Sequence, residues 1–582
     1  MSVPGRRLAA ILLGALALRL VLLVARGDYL VYDEGYYLLL ARSLRAGHGF
    51  TLNGLPHVAL SPLQPLLVAA LSLAGVPDLW ASRLLAAACG ALLVVPVAAL
   101  ARRWFDERVA ASAALFVAAS PGLLAFLPFF PGERWNLYFG SEPLYLVLGL
   151  GALTAAVRAV EESAWRWWLA LGALAAAAYL TRLEGAVLGG AIGLVVLGVL
   201  ARRRAAHLVP RAAAALLVGV VVAAPYLVYL HGTLGRWAVS GRVQTVATDE
   251  APAASPPGAR GPSDAVRAFV WGGDREALWR TLYALDTRGQ RMASQYWGVP
   301  RLSGRPVAGT TDVGTPRDLV AGPDGAPASR TPLAGAPRTP DAERGGPRAF
   351  ARALVIVLPW WFLVLTVCGV VWGRAPRGAL VWSLPVVAAT LAPALLAYVE
   401  PRALLLLVPA GCIFAAAAVV RAAEVTARNP GFPRAASVAP LAVAVLLLLP
   451  TARDLARAWP QDLPLQRVAS ARRAVGDALG RRLAAGAVLV AWHPAVAIYA
   501  GRDWRVLPYD GFERILGYAR YQGASALVFS TFEPSPLREA PRAFTVVLLD
   551  SAAAGPGGNL RLEPVEQTPL LFVGRLAPEP AR

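Results

Sequence analysis

The chain is punctuated by apolar runs as long as one α-helix needs to cross a bilayer, ~20 residues. They fall at about 8–25, 83–101, 109–127, 143–159, 165–181, 185–201, 210–230, 353–373, 379–397, 403–420 and 436–451, eleven in all. A bilayer core leaves few folds open to such a chain, because every backbone N–H and C=O must be satisfied within the protein. With no alternating strand pattern in these runs, the expectation is an α-helical polytopic membrane protein with about 11 transmembrane helices. Composition agrees: 57% of the 582 residues are hydrophobic and only 16% charged, against about 25% charged in soluble domains. An ordinary soluble enzyme and a disordered chain are excluded. So is a disulfide scaffold, since the three cysteines (Cys89, Cys368 and Cys412) are far apart and all lie in apolar runs. The first run follows Arg6 and Arg7 and lacks a small-residue cleavage site, so it reads as an uncleaved anchor. The stretch 60–76 is shorter and led by Pro62 and Pro65, and reads as an interfacial or re-entrant helix.

The net charge of +20 rests entirely on arginine, for the chain has no lysine. On a soluble protein such a balance suggests nucleic acid; on a membrane protein it reports topology. With the N-terminus inside, the cytoplasmic links hold Arg102, Arg103, Arg108, Arg158, Arg166, Arg202, Arg203, Arg204, Arg211, Arg374, Arg377, Arg421, Arg428 and Arg434. Their acids are few: Asp106, Glu107, Glu161, Glu162 and Glu424. Counting 60–76 as a full span inverts every later link and puts Arg202–Arg204 outside, so the charge favours a cytoplasmic N-terminus and an outer C-terminus. Nucleic acid is not an expected partner; the lipid bilayer is.

Two domains follow. Residues 1–451 form the membrane domain, with outer loops at about 26–82 and 231–352. Within the second loop, 251–263 and 299–348 are rich in Pro, Gly, Ala and Arg and read as disordered, while 264–298 carries aromatic residues spaced for surface helices. Residues 452–582 alternate helix-like and strand-like runs (Val488–Trp492, Ala526–Ser530, Phe544–Leu549, Leu570–Gly574) and read as a small C-terminal α/β domain outside the membrane.

The most informative segment is Tyr32-Asp33-Glu34-Gly35-Tyr36-Tyr37, which opens an amphipathic run just beyond the first span. Acids at membrane depth are costly unless paired or functional. The alternative is a solvated helix N-terminus, where acids suit the helix dipole. His48, His57 and His231 share the outer side, but three scattered histidines make no metal-binding pattern, and none is expected to hold a metal. Trp165, Trp167, Trp168, Trp360 and Trp361 sit at span ends, as interfacial belts do.

The Tyr-Asp-Glu-Gly-Tyr-Tyr segment, followed by a helix and a proline motif, resembles the first outer loop of family 39 glycosyltransferases, the group of protein O-mannosyltransferases and aminoarabinose transferases of lipid A. Four further segments resemble the same family in order: Ala81-Ser82-Arg83-Leu84-Leu85, Gly140-Ser141-Glu142-Pro143-Leu144, Leu180-Thr181-Arg182-Leu183-Glu184-Gly185 and Glu400-Pro401-Arg402. The proline motif departs from the family: Ser61-Pro62-Leu63-Gln64-Pro65-Leu66 lacks the basic residue that often precedes the prolines.

The resemblance implies a GT-C fold with its active site on the outer face. The implied donor is a sugar on a polyprenyl phosphate, and the acceptor a hydroxyl of a lipid, glycan or protein. Asp33 matches the position of the general base, and Glu34 beside it would orient the acceptor or a divalent cation. The phosphate leaving group needs positive charge, for which arginine's two-pronged donor geometry is suited. Arg83, Arg182 and Arg402 are the candidates, with Glu142 and Glu184 as further active-site residues. Inversion at the anomeric carbon is expected, and no cofactor is required. Bland readings stand beside these: Arg83 as a snorkelling residue at a helix end, Glu142 as an acid at a helix N-terminus before Pro143, and Arg182 paired with Glu184 across a tight turn. The competing function is a transporter or flippase of a lipid-linked envelope precursor. Such proteins usually show internal repeats and polar residues near the bilayer midplane, whereas here the charges cluster at span ends.

Overall fold

The computed structural model describes residues 3–26, 30, 33–124, 140–241, 347–373, 375–396, 401–430, 432–458, 464–508, 512–530, 543–549, 560–568 and 570–578. Of the surface helices and disordered stretches expected within 251–348, residues 251–346 lie outside the described residues, as does Glu400, while Pro347 and Arg348 begin a helix rather than end a disordered stretch. By contacts the chain divides into two units: Met1–Asp28, Leu60–Val239 and Gly345–Pro460 form the first, and Tyr29–Ala59, Ser240–Arg344 and Gln461–Arg582 the second. The acidic segment after the first span thus groups with the tail.

The first unit is helical. Its elements are α1 (Val3–Arg26), α3 (Leu63–Leu73), α4 (Asp78–Leu92), α5 (Val94–Trp104), α6 (Glu107–Ala119), α7 (Glu142–Glu162), α8 (Trp165–Thr181), α9 (Glu184–Arg202), α10 (Val209–Leu234), α11 (Pro347–Val357), α12 (Trp360–Val371), α13 (Arg377–Leu396), α14 (Leu407–Ala427) and α15 (Ala435–Ala458). Each of the eleven apolar runs contains helix among the described residues. Seven helical stretches are long and apolar enough to span a bilayer unaided among the described residues, with α4 and α5 continuous over Asp78–Trp104. The chain is a multi-pass membrane protein.

Two of the remaining runs are shorter as helices than their sequence suggests, for local reasons. The run at 353–373 is broken at Pro359, which starts α12 from an extended backbone (ψ 140°); proline lacks the N–H that would continue α11 and pushes its predecessor out of the helical region. The run at 109–127 stops as a helix at Ala119, because Ser120-Pro121 turns the chain into a single 3-10 turn. The stretch 60–76 forms α3, eleven residues long and too short to span, in keeping with a re-entrant or interfacial helix.

Arginine-rich ends of several helices meet. Arg103 at the end of α5 bonds Glu161 and Glu162 at the end of α7. Arg108 on α6 reaches Glu424 on α14 at 3.2 Å, and Trp167 donates to Glu162 at 2.6 Å. Arg158 lies 4.4 Å from the Trp167 ring centroid. Links expected on the cytoplasmic side therefore gather at one end of the unit. The other end of α7 is Glu142, and its 21 residues at 1.5 Å each separate the two ends by about 30 Å, the thickness of a bilayer core.

The second unit contains α2 (Glu34–Arg45), a short hairpin of β1 (Thr51–Leu52) and β2 (Leu55–Pro56), and the C-terminal α/β domain: α16 (Pro464–Arg482), β3 (Val488–Ala491), α17 (Ala495–Ala500), β4 (Asp503–Val506), α18 (Phe512–Tyr521), β5 (Ala524–Ser530), β6 (Phe544–Leu548), β7 (Leu560–Gln567) and β8 (Leu571–Pro578). The six strands run β4-β3-β5-β6-β8-β7. β3 pairs in parallel with both β4 and β5, β5 with β6 antiparallel, β6 with β8 parallel, and β8 with β7 antiparallel. The chain thus leaves β3 towards one neighbour and returns to its other side, which makes β3 the switch point of the sheet.

Candidate functional site

Within the first unit, four of the seven residues singled out from the sequence converge. Glu142 opens α7, Glu184 opens α9, Arg182 ends the turn from α8, and Arg402 lies on a 3-10 turn (Pro401–Leu404) ahead of α14. Arg182 uses its fork on two carboxylates: one Nη donates to Glu142 Oε1 at 2.7 Å and the other to Glu184 Oε1 at 2.8 Å. The first also reaches Ser141 Oγ at 3.4 Å. Arg402 Nη1 stands 4.0 Å from the same Glu142 Oε1. The side chains of Arg182, Glu142, Glu184 and Arg402 are 10%, 5%, 19% and 13% exposed, so the cluster is shielded from bulk water and its attractions are little screened.

The local backbone explains the convergence. The Thr181–Gly185 turn is tight: Gly185 N–H bonds Arg182 O at 2.9 Å and Ala186 N–H bonds Leu183 O at 2.9 Å. A Cβ at Gly185 would lie 2.3 Å from the carbonyl carbon of Ala178, so only glycine lets α9 begin against the last turn of α8. Pro143 sits in the first turn of α7, where a missing N–H costs nothing. Both acids occupy helix first turns, where the dipole favours negative charge.

These side chains line a cleft together with Tyr145, Leu146, Ala389, Ala403, Leu405 and Leu406. Tyr145 escaped the sequence reading. Its signal was present, three residues beyond Glu142 and so on the same helix face. Glu142 Oε2 is buried and has no hydrogen-bond partner among the described residues, an acceptor available to a bound group. The cleft thus carries two guanidinium groups, two carboxylates and a phenol beside apolar walls.

The other three residues are placed elsewhere. Arg83 is on α4 and wholly buried, and it is not among the residues lining this cleft. Asp33 and Glu34 belong to the second unit. Asp33 is the N-cap residue of α2, and its carboxylate makes no capping hydrogen bond to the first turn. Glu34 is fully buried. Among the described residues no three His, Cys, Asp or Glu side chains come together as a metal site.

The sequence also passed over Arg19, an arginine inside the first span. It is 3% exposed and donates to Ala15 O at 3.1 Å and Leu123 O at 3.0 Å. Its side chain packs on Gly90 of α4, so carbonyls and close packing accommodate its charge inside the bundle.

Residues 61–229 match the model of a family described as dolichyl-phosphate-mannose-protein mannosyltransferase. The matched segment holds Arg83, Glu142, Arg182 and Glu184. Among solved structures, ArnT from Cupriavidus metallidurans bound to undecaprenyl phosphate is 15% identical, with a TM-score of 0.49 over 90% of this chain and 92% of that one. An oligosaccharyltransferase of Archaeoglobus fulgidus in its apo form is 12% identical, with a TM-score of 0.46 over 91% of this chain and 69% of that one. No curated protein sequence matches. The chain resembles GT-C glycosyltransferases of the family 39 type, as its motifs do.

Proposed function

We propose that the protein is a membrane glycosyltransferase that moves a sugar from a polyprenyl-phosphate donor to an acceptor hydroxyl on the outer face of the cell's inner (plasma) membrane. The observation that carries this reading is the shielded cluster of Arg182, Arg402, Glu142 and Glu184 lining one cleft at the end of α7 away from the arginine-rich links. Three of its four charged residues lie in the segment that matches the mannosyltransferase family. The positive-inside rule puts the arginine-rich end in the cytoplasm and the cleft outside.

In this reading the acceptor oxygen attacks the anomeric carbon with inversion as the bond from that carbon to the phosphate oxygen breaks. Asp33 takes the acceptor proton as general base, Glu34 orients the acceptor, and the polyprenyl phosphate leaves with the bonding pair. Its growing negative charge is met by guanidinium groups, with Arg402 of the cleft foremost and Arg83 assigned to the phosphate by motif resemblance alone. Arg182, already shared between two carboxylates, serves mainly to hold Glu142 and Glu184 in place. The acceptor is a lipid, glycan or protein hydroxyl.

The test is Asp33→Asn in the full-length protein. Loss of sugar transfer by about 10²–10⁴-fold, the usual worth of a positioned general base, with unchanged abundance and thermal stability supports the assignment; transfer at the wild-type rate overturns it. Because arginine supplies the counter-charge, a chelator such as EDTA is expected to leave the rate unchanged, and restoration of a lost rate by added Mg²⁺ or Mn²⁺ would replace this part of the reading.

A further inference from the structure

Within the second unit the acidic helix is gripped by the α/β domain. Gly35 of α2 lies so close to the turn after β3 that a Cβ on it would stand 2.8 Å from Pro494 Cγ. Glycine in a helix costs about 0.5–1 kcal/mol relative to alanine, and the close approach is what requires it here. The next residue, Tyr36, is buried with its ring edge-on to Trp504 of β4 (centroids 5.6 Å apart) and to His493 (6.3 Å). The Leu30 N–H donates to the Tyr499 hydroxyl of α17. Contacts therefore bracket Asp33 on both sides along the chain.

The gripping side is itself rigid. His493 Nδ1 accepts the Ala495 N–H at 3.1 Å and so caps α17, and Trp504 Nε1–H donates to Ala491 O at 2.8 Å. Both Trp504 and the β3 strand it bonds are almost wholly buried. His493 and Pro494 leave the carboxyl end of β3, the switch point of the sheet, where open α/β sheets ordinarily bind their ligands. Here the chain's own acidic helix touches that place.

We propose that the C-terminal α/β domain is a clamp for the acidic helix, with Pro494, His493, Tyr499 and Trp504 as positioning residues that fix the backbone carrying Asp33. This rests on the reading of Asp33 as the base; the contacts themselves do not. A base must be held to within a fraction of an ångström, and a misplacement of 1 Å costs on the order of 10²-fold in rate. The clamp supplies that precision from a folded sheet rather than from a loop.

The experiment uses full-length protein in nanodiscs and the pair Gly35→Ala and Pro494→Ala. Gly35→Ala pushes the helix off the turn; Pro494→Ala deletes the Cγ it strikes. Two readouts are taken: hydrogen exchange of the amides of residues 34–45, and kcat and KM for the lipid-linked donor. Expected is lost protection and a fall in kcat on the order of 10²-fold with little change in KM for Gly35→Ala, and recovery of both in the double variant, the coupling that marks a direct contact. Equal protection in wild type and Gly35→Ala, or no recovery of protection in the double variant, overturns the clamp. Protection that is lost and regained while transfer stays constant supports the clamp and overturns Asp33 as the base.

Discussion

Glu142 holds two guanidinium groups on one oxygen while its other oxygen is buried without a hydrogen bond among the described residues. Leaving a buried acceptor unpaired costs about 1–3 kcal/mol, a penalty that the binding of a hydroxyl would relieve. Replacing Glu142 by Gln keeps the shape and removes the charge that balances Arg182 and Arg402. Breaking a buried pair in this way typically costs about 3–5 kcal/mol. Glu142→Gln is therefore expected to lower both the thermal stability of the detergent-solubilised protein and sugar transfer, whereas Arg421→Gln, at an exposed pair with Glu424, is expected to change stability by less than about 1 kcal/mol. Gly185 tests the turn beneath this cluster. Gly185→Ala forces a Cβ into the Ala178 carbonyl and should destabilise by about 1–3 kcal/mol through backbone displacement, moving Arg182 and Glu184 together; thermal unfolding and transfer are then expected to fall in parallel.

At the scale of the element, legibility followed burial. The central strands β3, β5 and β6 are buried on both faces and stand out in the sequence as continuous apolar runs. The edge strands β4 and β7 were not recognised. Asp503-Trp504-Arg505-Val506 alternates polar and apolar over only four residues, and β7 carries Pro564 at a register shift, as edge strands tolerate. The membrane helices were legible because apolar length is a local property; their breaks at Pro359 and Pro121 were visible only as single prolines. The site was half legible. Glu142, Arg182, Glu184 and Arg402 could each be marked by motif, but the sharing of Arg182 between two acids depends on α7 and α9 starting side by side, which no local pattern encodes. The grip of His493 and Trp504 on Tyr36 was invisible for the same reason, joining residues at opposite ends of the chain. α18 offers a test of burial within the tail. Tyr518 is fully buried, its hydroxyl has no hydrogen-bond partner among the described residues, and burial pushes its pKa well above the usual phenol value, with Arg505 opposing. Removing an unsatisfied hydroxyl relieves its desolvation penalty, so Tyr518→Phe is expected to stabilise the domain by about 1 kcal/mol, read as a rise in its unfolding temperature.

For the whole molecule, two groups of charged residues are set apart by the length of α7. One is the arginine-rich gathering of Arg102, Arg103, Arg108, Arg158 and Arg166 with Glu107, Glu161, Glu162 and Glu424. The other is the shielded cleft cluster, in which two arginines face two acids. The first has the composition of links that stay in the cytoplasm, and a helix of 21 residues reaches about 30 Å across the hydrocarbon core to the second. The resulting orientation is open to a labelling test. In a background without Cys89, Cys368 and Cys412, a cysteine at Arg203, in the exposed link after α9, should react with a membrane-impermeant maleimide only after the cells are opened. A cysteine at His48, exposed beyond α2, should react in intact cells. The reverse pattern would invert the topology, place the cleft in the cytoplasm and remove the outer-face reading of the reaction. Labelling of both positions from one side would require α9 or another helix between them not to cross, and the two ends of α7 would then no longer lie on opposite sides of the membrane.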